Sequence, residues 1–170
     1  MFYFKIFFTI LIVTFMKICL KTYAQQGTVE PIKIVLQERL PPRIQAPVEL
    51  IGSFQVENYN DYYLLSIDAA GILAIECQRC LKTFNDDYSN QTKLAVCRSD
   101  AVAEGLMAHF ECIVLREDEL NLSEILTDEL YLFSPEKHWD FADCDSEVRQ
   151  WICDKSEIIE TTLGLSTKTR

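Results

Sequence analysis

Cys77-Gln78-Arg79-Cys80 sets two thiols two residues apart at the end of the alternating apolar run Ile72 to Ile75, the one place in the chain where reactive side chains concentrate. A tight turn of that spacing points both sulfurs the same way, so the pair can take two corners of a zinc tetrahedron or close into a redox-active disulfide. A thioredoxin-like site needs its cysteines at a strand end that opens a long helix, whose N-terminus lowers the thiolate pKa. Leu81-Lys82-Thr83-Phe84-Asn85-Asp86-Asp87 follows instead, a poor helix and a good strand and loop, which weighs against a thiol oxidoreductase. A closed zinc site needs about four ligands, and no second CxxC pair exists. His138 and Cys144, both in a loop-like segment, are the residues that could complete a set with Cys77 and Cys80. The competing reading is a cysteine turn that holds no ligand.

Other chemistries find less material. The two histidines, His109 and His138, have no nucleophile signature beside them, and five glycines leave little from which to build a phosphate loop. No catalytic residue is therefore assigned, and a non-enzymatic binding module is expected. A net charge of -10 argues against DNA or a broad nucleic-acid face, because phosphate neutralisation needs clustered Lys and Arg. A basic partner is the natural complement. The seven cysteines are odd in number and irregular in spacing, so no disulfide framework is implied. Cys97 and Cys112 fall in strand-like runs and read as small buried hydrophobes. Asn90-Gln91-Thr92 and Asn121-Leu122-Ser123 match the glycosylation pattern, but matches this short arise by chance.

The elements that must position these residues are α+β: an antiparallel meander packed with one main amphipathic helix and one or two short helices. Pro31 to Leu40 reads as a strand or short helix ended by Pro41-Pro42. Alternation from Val48 to Glu57 predicts a half-buried strand, Asn58 to Asp61 a turn, Tyr62 to Ile67 a second strand, Asp68 to Gly71 another turn, and Ile72 to Cys77 a third strand. Asn85-Asp86-Asp87 marks a loop, followed by a strand through Thr92, Leu94 and Val96, a short helix over Ala101 to Met107, and a strand from Phe110 to Leu115. The main helix spans about 121–133: Asn121 caps it, Glu124 can bond back, and Ser134-Pro135 stops it. Leu122, Ile125, Leu126, Leu130 and Phe133 form its apolar stripe, while Glu124, Asp128 and Glu129 are placed on the solvent side, as a solvated surface or a docking face for a basic protein.

Residues 1–15 are a hydrophobic leader with a lone charge at Lys5, too short to span a bilayer. Thr22-Tyr23-Ala24 offers a signal-peptide cleavage pattern, making residues 1–24 an export signal; the rival reading starts translation at Met16 and makes the leader an over-extended reading frame. The remaining chain is one domain, 16–153, followed by a polar tail, 154–170, that is expected to be disordered.

Glu76-Cys77-Gln78-Arg79-Cys80-Leu81 followed by Phe84, then Leu120-Asn121-Leu122-Ser123-Glu124-Ile125-Leu126-Thr127-Asp128-Glu129-Leu130 running into Pro135 and a late Cys144, resembles the YceD family of large ribosomal RNA accumulation proteins. The resemblance covers roughly Val29 to Cys144. It implies a cytoplasmic bacterial factor in ribosome biogenesis that supports accumulation of large-subunit (23S) ribosomal RNA. Its partner would be that RNA or a basic ribosomal protein or assembly intermediate, with Arg79, Lys82, Asp128 and Glu129 as candidate contacts. Some relatives carry a second cysteine cluster after the helix and look able to hold zinc; this chain keeps only Cys144 there. Relatives begin close to the segment near Met16, which favours the later start and, with it, no stable membrane association. The alternatives are a secreted cysteine-containing domain and a small CxxC thiol oxidoreductase.

Overall fold

A computed structural model describes residues 16–152; the leader at 1–15, Cys153 and the tail at 154–170 lie outside the described residues. In chain order the elements are β1 (Lys17–Cys19), α1 (Leu20–Gln26), β2 (Glu30–Leu36), β3 (Val48–Asn58), β4 (Tyr62–Glu76), β5 (Thr83–Cys97), α2 (Asp100–Leu106), β6 (Glu111–Val114), β7 (Glu119–Asn121) and α3 (Leu122–Phe133). A short 3-10 turn at Phe141–Asp143 follows, and residues 146–152 are helical. Among the described residues no helix is long and apolar enough to cross a membrane.

The five-stranded sheet runs β2-β3-β4-β5-β6, antiparallel except for β5 and β6. Alternation puts Ile32, Ile34, Leu50, Phe54, Val56, Leu65, Ile67, Leu73, Ile75, Leu94 and Val96 into one core, against which α1 and α3 contribute Leu20, Leu122, Leu126 and Leu130. The parallel β5-α2-β6 connection buries a smaller cluster of Ala95, Cys97 and Ala103. The fold class is therefore α+β as expected.

Two expected breaks are absent. Asp68–Gly71 is strand, not turn, and Asn85-Asp86-Asp87 is strand, not loop: β4 and β5 are paired continuously from Tyr62↔Cys97 to Glu76↔Thr83. Gly71, which suggested punctuation, serves close strand approach, as does Gly52 within β3. A Cβ on Gly71 would stand 2.4 Å from the Glu49 carbonyl oxygen, and one on Gly52 would stand 1.9 Å from that of Asp68. For Asn85 to Asp87, ladder bonds to Ile72, Leu73 and Ala74 override local turn preference. The separate strand Ile72 to Cys77 is thus the second half of β4, and Pro31 to Leu40 resolves into the edge strand β2. Ile18 and Leu20, almost fully buried, make residues that sequence alone left near a cleavage site part of the core.

On α3, Asn121 caps as expected, its Oδ1 accepting from the Ser123 N–H at 3.2 Å. Glu124 does not close the box; its carboxylate stands 3.7 Å from Arg39. Glu129 is buried, only 4% exposed, which corrects its placement on the solvent face, whereas Asp128 is exposed. Helix geometry gives the reason: Leu122, Leu126, Glu129 and Leu130 follow the i, i+4, i+7, i+8 stripe that faces the core. Phe133 continues that stripe past the packing surface and is half exposed.

Candidate metal centre

The CxxC segment is the tip of the β4–β5 hairpin. Glu76↔Thr83 is the last ladder pair; beyond it the Cys77 N–H donates to the Lys82 carbonyl at 2.9 Å and the Leu81 N–H to the Cys77 carbonyl at 2.8 Å. Leu81 closes this turn in the left-handed region, at φ 58°. The segment after α3 folds back over the tip, where the Gln78 N–H donates to the Glu136 carbonyl at 2.9 Å. Asp140 accepts from the Ala142 N–H at 2.8 Å, starting the 3-10 turn that delivers Cys144.

This fold-back brings the four sequence-predicted ligands together. The ligand atoms of Cys77, Cys80, His138 and Cys144 all lie within 4.8 Å of one another. His138 Nδ1 stands 3.7 Å from the Cys80 sulfur and 3.5 Å from that of Cys144. Zinc bonds of about 2.3 Å to sulfur and about 2.0 Å to nitrogen, opened to a tetrahedral angle, set sulfur and nitrogen about 3.5 Å apart. The three cysteines are buried and His138 is half-buried, with Phe84, Phe141 and Val148 packed around the thiols. A Cys3His set of this spacing fits a four-coordinate zinc whose corners are all supplied by the protein.

The electrostatics suit a cation. Burial on its own would raise the Cys77 pKa, but backbone N–H groups of His138, Cys80 and Arg79 point at its sulfur, the Cys80 thiol adds a further bond, and together they hold it down to about 5. Cys144 moves the opposite way, to about 11, pushed up by burial and then by the neighbouring Cys77 sulfur, against the opposing charge of Arg79. One negative sulfur already stabilised by amides, beside a Cys144 thiol that holds its proton, belongs to a set whose protons a dication can replace.

Residues to which the sequence pattern gave no role in the metal set hold the ligands in place. The Phe84 and His138 rings meet at 4.4 Å between centroids, and Trp139 Nε1 donates to Asp86 at 2.7 Å. Alternation along β5 puts Phe84 and Asp86 on the same face, a signal hidden while Asn85 to Asp87 reads as loop. Arg79 bonds the His138 carbonyl and lies 5.3 Å from the Phe141 ring centroid, so its guanidinium serves the site, while Lys82 is exposed. The buried Cys77 leads into a strand rather than a helix, unlike the context a thioredoxin-like thiol requires. No protein-family model matches this chain, and no solved structure matches it.

Proposed function

We propose that the protein is a non-catalytic binding module of ribosome biogenesis that supports accumulation of large-subunit ribosomal RNA, with zinc in the Cys77, Cys80, His138 and Cys144 set as a structural cofactor. The observation that carries the cofactor assignment is the convergence of the four ligand atoms within 4.8 Å. A closed four-ligand set leaves no coordination position for substrate, which favours scaffolding over catalysis. The ribosomal reading rests on the sequence pattern from Glu76 to Cys144, and the net charge of -10 favours a basic ribosomal protein over a broad RNA grip. Depletion of the protein followed by sucrose-gradient profiling tests it. A selective fall in free large subunits and their RNA is expected; unchanged subunit ratios in a depleted strain overturn the reading.

A further inference from the structure

β5 is paired with β4 along its whole length, but on its other side β6 covers only Leu94 to Cys97. From Thr83 to Lys93 no strand pairs with that side among the described residues. Soluble proteins blunt such edges with proline, bulges or charge, because unpaired amides and carbonyls template another strand. This stretch has no proline, and Asp86 and Asp87 are acidic. Two copies meeting with Asp86 and Asp87 opposed would bring like charges together, and a net charge of -10 on each copy adds repulsion, which disfavours self-pairing and leaves a basic strand acceptable.

Where β6 begins, the edge opens into a pocket of ≈ 300 Å³. Its walls include His109, Phe110 and the half-exposed Phe133, and Glu129 contributes a carboxylate to it. Glu129 is bonded to Asn90 and forms no ion pair with Lys or Arg among the described residues, although Lys93 lines the same pocket. A buried carboxylate without a cation is costly, and aromatic walls around it suit a cationic side chain.

We propose that the open edge of β5 docks an extended basic segment of a partner protein as an added strand, with a lysine or arginine side chain entering the Glu129 pocket. This deepens the ribosomal reading by naming the site and the chemistry of the partner. Backbone bonds along the edge would supply affinity and the acidic side chains the preference for a basic sequence.

The test uses the full chain and a short fluorescent peptide alternating lysine and valine. It is compared with a glutamate–valine peptide and with a lysine–valine peptide N-methylated at alternate amides. Expected are salt-sensitive binding of the first alone, new hydrogen-exchange protection at residues 83–93, and affinity roughly tenfold weaker in Asp87→Lys, an exposed position. Equal binding of the acidic or N-methylated peptide, no binding of any, or full affinity in Asp87→Lys overturns the proposal. So does slow exchange, in the free chain, of those 83–93 amides that point away from β4, which would mean that the chain or a second copy already covers the edge. Peptide docking needs no ribosome, so its failure beside a large-subunit defect on depletion removes the edge alone, whereas docking without such a defect removes the ribosomal reading alone.

Discussion

Cys144→Ser takes one corner from the proposed zinc site and leaves the main core untouched, because the thiol cluster packs with Phe84, Phe141 and Val148 at the sheet's tip. Two routes give the size of the effect. A metal that binds only the folded chain stabilises it by about 4 kcal/mol when its free concentration is a thousandfold above Kd. Cys80 and His138 are 58 positions apart, and a cross-link closing a loop of that length restrains the unfolded chain by about 4 kcal/mol in the chain-entropy account. At about 2–4 °C per kcal/mol for a chain of this size, the wild-type protein should lose about 8–16 °C in Tm when zinc is chelated, and Cys144→Ser should melt at the chelated temperature with no further response to chelator. The sheet should survive, since the main cluster contains none of the ligands. Metal analysis of protein purified in reductant without added metal, with paired thermal melts, measures both quantities. Cys112→Ser, a half-buried cysteine outside the set, is the control. Wild-type protein lacking stoichiometric zinc, or melting identically with and without chelator, refutes the reasoning.

In metal-free protein, absorbance of the thiolate against pH should show one thiol titrating near pH 5, and Cys77→Ser should abolish that step. The folded pKa of Cys77 lies below its ordinary value of 9.0, so the linked stability is present above pH 9 and is lost as pH falls through about 5; urea midpoints of wild type and Cys77→Ser should converge at the acid end. Burial raises the Glu129 pKa, so its ionisation costs stability as pH rises above the ordinary carboxylate range; Glu129→Gln should raise the urea midpoint at pH 7 and leave it little changed at pH 4. Asp128→Lys, at an exposed position, should shift stability by no more than about 0.5 kcal/mol, while Glu129→Lys should cost about 3 kcal/mol or more by burying an unpaired cation. A chain begun at Gln25 loses the buried Ile18 and Leu20, each worth about 2–5 kcal/mol, and should fail to show a cooperative melt that a chain begun at Met16 retains.

How much could be read in advance depended on whether a signal was local. Val48 to Glu57 and the capped helix from Asn121 carry their period within one segment, and both are found close to their expected bounds. Cys77, Cys80, His138 and Cys144 were legible as residue types with metal-ligand chemistry; their convergence was not, because it depends on the segment after α3 returning to a hairpin tip that local pattern had split in two. The same error explains both lost strand segments. Asp, Asn and Gly favour turns in isolation, and only the register with the opposing strand shows that Gly71 must lie against the Glu49 backbone. Glu129 was misplaced for a different reason: residue type outweighed position, although its spacing from Leu122 already put it on the buried stripe.

The β4–β5 hairpin ties the two proposed sites together. Its tip carries Cys77 and Cys80, and the open edge begins at Thr83, directly beyond the last bond of that turn. His138 packs on Phe84 and Trp139 bonds Asp86, so the segment that supplies two of the metal ligands also touches the first residues of the edge. A metal holding Cys80 to His138 and Cys144 would fix that segment beside β5 and define where an added strand must stop. Without the metal, the segment is held by the ring contact to Phe84, the exposed bond to Asp86, and the bonds that Gln78 and Arg79 make to the Glu136 and His138 carbonyls, and bonds of that kind contribute about 1 kcal/mol each. Zinc on this reading needs no substrate position, because its work is to hold one end of a docking edge in place.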